Sequence, residues 1–390
     1  MPPAPGLAVE AAVEARYPRS ILSGPSASSC RPMPDSSSLP LPSAARFGWC
    51  CQFVPPDGDA ALAKRMNPGT VTIATLSKLS PARAEEKLTE VLRRNLHALH
   101  LQLDEVARHP AYRRLLRVNS GLLPAYTHEV GRPLYQQPGV QALVRSGLEH
   151  AGRKAMEADI RIGLHPDQYC VLNSANPATL TNSVAELEYH ADILRMMGLA
   201  GGWHPRGSHV NIHGGGRGEG TAGFRRGLAL LSEDARNLLT VENDEMSFGL
   251  DDLLPLADAV PVVLDLHHHW VRSQGEYLRP DDPRIATVIG SWRGVRPVAH
   301  ISVSREDLLP DWPADSLPDY AALAARGLTT KDLRAHSQRM WNHAVNRLVA
   351  DHLTWADFEV EAKAKNLAVD DLEQDALRSG AVAAATGGLP

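Results

Sequence analysis

Between residue 45 and about residue 379, short apolar runs alternate with longer stretches in which apolar residues recur every three or four positions. The short runs are "ARFGWC" (45–50), "RLLRVNS" (114–120), "DIRIGLH" (159–165), "HVNIH" (209–213), "LLTVEN" (238–243), "VPVVLDL" (260–266), "PVAHIS" (297–302) and "DFEVEAK" (357–363). Each reads as a buried strand. The longer stretches, such as "PARAEEKLTEVLRRNLHALHLQLDEVARH" (81–109) and "PATLTNSVAELEYHADILRMMG" (177–198), read as amphipathic helices. Strand and helix alternating through eight such runs predict an α/β fold of the TIM-barrel type, (β/α)8. An open doubly wound sheet is the main competitor, but no G-x-G-x-x-G turn follows the first strand, and the Gly-rich "IHGGGRGEG" (212–220) follows the fourth.

Residues 1–44 are rich in Ser, Pro and Ala and lack this periodicity, and residues 380–390 resemble them, so both are expected to be disordered tails around a single domain at 45–379. Hydrophobic residues make up 43% of the 390, enough to bury a large core. The four cysteines, Cys30, Cys50, Cys51 and Cys170, form no C-x-x-C pair, which argues against a disulfide framework or a zinc knuckle and for a reducing, cytoplasmic setting. No segment is apolar enough to span a bilayer, so no membrane partner is expected. The formal net charge of −5 means that any nucleic acid must be held by a local basic surface.

The chemistry gathers where the strands end. His165 closes the third run, His213 the fourth, Glu242 the fifth and Asp265 the sixth, with His300 and Glu361 near the ends of the seventh and eighth. In a barrel these ends share the face on which catalytic loops meet. Any one of them alone reads as a hydrogen-bonded loop residue. Together, buried carboxylates need compensation, and divalent ions supply it. Imidazole and carboxylate without thiolate suit Mn2+, Zn2+ or Fe2+, and more ligands than one ion needs imply a cluster suited to phosphodiester hydrolysis.

The motifs "LHPDQYCVLNS" (164–174), "HVNIHGGG" (209–216), "VENDE" (241–245), "VVLDLHHHWV" (262–271), "VAHIS" (298–302) and "VEAKAK" (360–365) resemble, in order, those of the UV damage endonuclease family. The resemblance runs from about Arg46 to about Lys365. It implies an endonuclease IV-like barrel with three divalent ions, usually manganese, with Zn2+ or Mg2+ as alternatives. It further implies a monomer that nicks duplex DNA on the 5' side of UV photoproducts and associates with the nucleoid when bound. By motif, His165, His213 and Glu242 would hold one ion, Glu242, Asp265, His300 and Glu361 a second, and His268 and His336 a third. Glu242 and Asp265 are the implied bridges. His128 would lie close to the cluster or the scissile phosphate, and Gln168, Tyr169 and Trp49 match the family's lesion-probing residues. The flanking His267 and His269 are expected to orient a loop or meet the DNA backbone.

Two further expectations rest on the two-residue strand period, and a third, on Val298, comes from the resemblance. Lys363 would share the face of Glu361 and offer an ammonium to a phosphate, Lys365 less so, and Lys363 joins Glu242 and His128 as the candidate catalytic set. Glu359 would point inward below Glu361, with Arg161 as a plausible partner. Val298 occupies a position that is lysine in some relatives. Two other functions fit the fold class: a sugar isomerase or epimerase, which needs only one or two ions, and a damage-binding protein without activity, against which the full ligand set argues.

Overall fold

The computed structural model describes residues 45–216 and 218–380, and the expected tails at 1–44 and 380–390 lie outside them except for Gly380. Eight parallel strands close a barrel in sequence order: β1 (Phe47–Cys50), β2 (Leu115–Val118), β3 (Arg161–Leu164), β4 (His209–His213), β5 (Leu239–Glu242), β6 (Val262–Asp265), β7 (Val298–Ile301) and β8 (Asp357–Val360). β1 pairs with both β2 and β8, which completes the ring. Helices such as Pro81–Arg108 and Pro177–Met196 fill the gaps between strands. Among the described residues no helix is long and apolar enough to cross a membrane.

Alternation along each strand divides the core in two. Phe47, Trp49, Ile162, Leu164, Val210, Ile212, Val241, Leu264, Ile301, Phe358 and Val360 belong to one large apolar cluster with helix residues such as Leu88, Leu92 and Val184. The residues of opposite parity face the barrel axis, and most are polar: Arg117, His209, Asn211, Thr240, Glu242, Asp265, His300 and Glu359 are all buried. Only a small apolar layer, Leu115, Val263 and Val298 with Trp292, lies inside as well. Val298 is therefore a filler of that layer, paired in register with Asp357, whose carboxylate is already taken by Arg161 and Arg296.

Glu359 sits at the barrel's centre. Its Oε1 lies 3.2 Å from His209 Nε2, and its Oε2 lies 3.2 Å from His300 Nε2 and 3.3 Å from Arg117 Nη1. Room for it comes from β3: a Cβ added to Gly163 would stand 2.4 Å from Glu359 Oε1 and 2.7 Å from His209. Arg161, the partner expected for Glu359, instead pairs with Asp357 at 2.7 Å. The reason is register. Arg161 and Asp357 are the first residues of their strands, one layer below Gly163 and Glu359.

Asp357 organises the closed end of the barrel. It accepts from the Arg46 amide at 2.8 Å and from Arg296 Nε at 2.8 Å, in addition to Arg161. Removing one member of a buried pair leaves an uncompensated charge, which typically costs about 3–5 kcal/mol. Asp357→Ala is accordingly expected to lower the unfolding free energy by about that amount, read from the urea midpoint. Combining it with Arg161→Met should recover part of the loss, and a double variant no better than the single one would refute the pairing.

Candidate metal centre

Six strands deliver carboxylates and imidazoles to the open end of the barrel. His213, Glu242 and Asp265 are the last residues of β4, β5 and β6, His165 and Glu361 follow β3 and β8 directly, and His300 lies within β7. The Asp265 side chain also caps the helix Leu266–Arg272, accepting from the His268 amide at 2.6 Å. The chain therefore turns into a helix at Asp265, and a three-residue helical step returns His268 to the mouth. His267 and His269 leave in other directions. Both are only 4% exposed: His267 stacks on Trp270, and His269 Nε2 lies 2.9 Å from Glu276. Neither can meet a DNA backbone, which corrects that expectation.

Three groups of ligand atoms result, each with its members within 4.8 Å of one another: His165, His213 and Glu242; Glu242, Asp265, His300 and Glu361; and His268, His336 and Glu361. The shared residues are Glu242 and Glu361. Asp265 belongs to one group only, so Glu361 rather than Asp265 is the second carboxylate placed to bridge.

The donor set fits divalent cations on the chemistry of its own atoms. His165 Nδ1 donates to the Pro166 carbonyl at 2.8 Å, His268 Nδ1 to the Asn243 carbonyl at 3.1 Å and His336 Nδ1 to the Glu361 carbonyl at 3.3 Å. A carbonyl only accepts, so in each neutral ring the proton is on Nδ1 and Nε2 keeps its lone pair. For His165 that lone pair stands 3.1 Å from Glu242 Oε2, another acceptor. In the neutral ring two lone pairs then face each other, an arrangement that a cation bound to both atoms relieves. Glu242 Oε1, Asp265 Oδ2 and His213 Nδ1 are likewise buried without a hydrogen-bond partner. Asn211 orients Glu242 by donating to Oε2 at 2.5 Å, and Thr240 in turn fixes the Asn211 amide at 2.8 Å.

Burial and mutual repulsion compete across the cluster. Burial pushes the Asp265 carboxyl up, and the Glu242 and Glu361 charges add to the push. Burial would also raise Glu242, but His300 and His213 outweigh it and hold its carboxyl well below the usual range. For His300 burial favours the neutral ring, and the Glu242, Glu359 and Glu361 carboxylates overturn that and raise it well above its ordinary value. The carboxylates thus draw positive charge onto the surrounding groups. Divalent ions meet the same demand without protonating a ligand.

The UV-endonuclease UvdE family model matches residues 45–385. This chain belongs to that family. A UV DNA damage endonuclease of Deinococcus radiodurans (strain ATCC 13939 / DSM 20539 / JCM 16871 / CCUG 27074 / LMG 4051 / NBRC 15346 / NCIMB 9279 / VKM B-1422 / R1) is 31% identical over 231 residues, 57% of this chain and 72% of the relative. One of Bacillus cereus (strain B4264) is 27% identical over 256 residues, 61% of this chain and 73% of the relative. The crystal structure of SacUVDE shares the fold with a TM-score of 0.63 at 23% identity, covering 88% of this chain and 100% of that one.

On this UvdE-family barrel the other expected site residues are scattered. Gln168 and Tyr169 are exposed on the loop after β3, Tyr169 at 79%. Trp49 is 0% exposed, its ring edge-on to Phe53 and His109 on the helix side of β1, so it cannot touch a lesion. His128 is exposed on the loop after β2, where its Nδ1 accepts from the Val130 amide at 3.2 Å, and it belongs to none of the ligand groups. Lys363 is exposed too: β8 stops at Val360, and the Lys363 amide bonds the Ser337 carbonyl instead of a strand neighbour. Its ammonium is near enough to Asp307 to help lower that carboxyl, which Arg305 lowers most. Arg117 was the omission. It pairs with Glu361 as well as Glu359, and an arginine inside the apolar run "RLLRV" was the signal.

Burial of Trp49 sets an expected outcome. Trp49→Ala should lower the unfolding free energy by about 3–5 kcal/mol, measured in urea, with no selective loss on damaged DNA beyond what unfolding explains. A stable variant that had lost only lesion discrimination would restore Trp49 to the probe.

Proposed function

We propose that this chain is a DNA repair endonuclease that hydrolyses the phosphodiester 5' to UV photoproducts at a centre of three divalent ions, with manganese the first candidate. The observation that carries the reading is the convergence of eight side chains in three overlapping groups joined by Glu242 and Glu361. Ions held there would lower the pKa of an attacking water and stabilise the departing oxygen of an in-line displacement. The water oxygen bonds to phosphorus, the bond to the 3' oxygen breaks, and the products are a 3'-hydroxyl and a 5'-phosphate at the lesion. The ligand set is complete within one chain, which supports action as a monomer.

The chain's own groups divide the remaining work. Glu242 and Glu361 neutralise and space the ions, and Arg117 and Glu359 hold Glu361 and His300 from below. Tyr169 and Gln168 stand on the loop four and three residues past His165, placed to test whether a dinucleotide step is poorly stacked. His128 and Lys363, on loops at the same end of the barrel, are assigned to the DNA backbone rather than to reacting atoms.

The reading is tested by nicking of UV-irradiated and untreated duplexes. Irradiated DNA should be cut 5' to dimers, the chelated protein should be inactive, and manganese should restore it. Gln168→Ala with Tyr169→Ala should keep its metal and lose selectivity, since base stacking on an aromatic is worth about 1–3 kcal/mol, or roughly 5- to 150-fold in affinity. His268→Ala should release about one metal equivalent while His269→Ala releases none. Equal cutting of irradiated and intact DNA would sink the proposal.

A further inference from the structure

Five large hydrophobic side chains are exposed among the described residues: Leu79, Tyr169, Met246, Ile289 and Leu377. Ile289 and Leu377 lie on the outer helices Pro283–Ser291 and Asn366–Arg378, and Leu79 lies just before the helix Pro81–Arg108. Tyr169 and Met246 differ from these. Tyr169 follows His165 by four residues and Met246 follows Glu242 by four, and His165 Nε2 and Glu242 Oε2 are 3.1 Å apart. Four residues reach at most about 14 Å, so both residues lie on the mouth of the barrel within that distance of a candidate ligand.

The loop that carries Met246 is built to hold still. The Asn243 side chain donates to the Asp265 carbonyl at 3.0 Å and accepts from the Asp265 amide at 2.9 Å. Asp244 accepts from the amides of Met246 at 2.7 Å and Phe248 at 3.1 Å, and from that of Ser247. Glu245 pairs with Arg334 at 3.1 Å, and Arg272 donates to the Met246 carbonyl at 3.2 Å. Phe248 is buried against Gly214, where an added Cβ would meet it at 2.8 Å. The backbone on both sides of Met246 is thus tied down, and the residue is 56% exposed on a polar rim.

We propose that Met246 is a second wedge, which enters the base stack of the damaged duplex at a step other than the one Tyr169 occupies. β3 and β5 are two strands apart, with β4 between them. That separation is about 10 Å, or roughly three base steps of about 3.4 Å. Methionine is among the apolar side chains that proteins insert between base pairs, and a thioether packs on a base face without demanding a hydrogen bond. A rigid loop spares the ordering cost on binding. Two wedges around one lesion would hold the strand open over the metals and reject DNA that resists unstacking at either step.

This inference rests on the proposed action on UV-damaged DNA, and one experiment separates the two. Steady-state nicking of a duplex with a single thymine dimer is compared for the wild-type holoenzyme, Met246→Ala, Met246→Gln and Met246→Leu, with 2-aminopurine placed next to the dimer to report unstacking. Ala and Gln should raise KM by about 5- to 20-fold and reduce the fluorescence rise on binding, with kcat, metal content and thermal midpoint unchanged. Leu should stay within about twofold of wild type. Wild-type KM and fluorescence in both Met246→Ala and Met246→Gln would overturn the wedge alone. A wild-type protein that ignores the dimer would overturn the function beneath it as well.

Discussion

Three carboxylates, Glu242, Asp265 and Glu361, are brought together at the mouth of this barrel, and the rest of the interior answers to that constraint. Like charges this close cannot all stay ionised without cations among them. The imidazoles of His165, His213, His268, His300 and His336 supply lone pairs around the carboxylates, and Arg117 and Glu359 fix the underside. A barrel can be filled with Val, Ile and Leu; this one gives most of its upper interior to polar groups and confines its inner apolar layer to Leu115, Val263 and Val298. Stability then falls to the outer cluster between strands and helices and to the ion pairs around Asp357 at the closed end.

All eight strands were legible because each is an apolar run flanked by helical periodicity, and six of the eight candidate ligand positions because they fall at or near the ends of those runs; His268 and His336 came from the motif resemblance. What escaped was governed by phase and by turns. "FGWC" is buried on both faces, so periodicity alone cannot say whether Trp49 looks inward; Gly48 pairs with Glu359 in register, which turns Trp49 to the helices. The fate of the histidine triplet depended on Asp265 capping a helix, a choice "LDLHHHW" does not announce. Lys363 was extrapolated along a strand that ends three residues earlier, because the chain there joins the segment around Ser337.

Family membership and the site's geometry bear on different questions. The match over residues 45–385 separates this barrel from the sugar isomerases that share its class, which the strand pattern could not do. The geometry divides the family's barrel further: Glu361 joins two candidate ligand groups, His267 packs against Trp270, and among the described residues Tyr169 and Met246 are the exposed apolar side chains on the loops that follow β3 and β5. His268 and His336 are the two candidate ligands that no strand carries, and His268 comes on the helix that Asp265 caps. His336 lies further off in sequence. It arrives on the long excursion after β7 and is tied to Ser304 by a single antiparallel bridge.

The missing Cβ of Gly163 ties two distant parts of the gene together. Any larger residue there would collide with the carboxylate of Glu359 and the ring of His209, and those two side chains support the underside of His300 and of the centre above it. A substitution at position 163 therefore needs both His209 and Glu359 to give way, and with them goes the support beneath His300. A residue with no side chain and one of the barrel's most deeply buried charges thus constrain each other across the whole length of the chain between them.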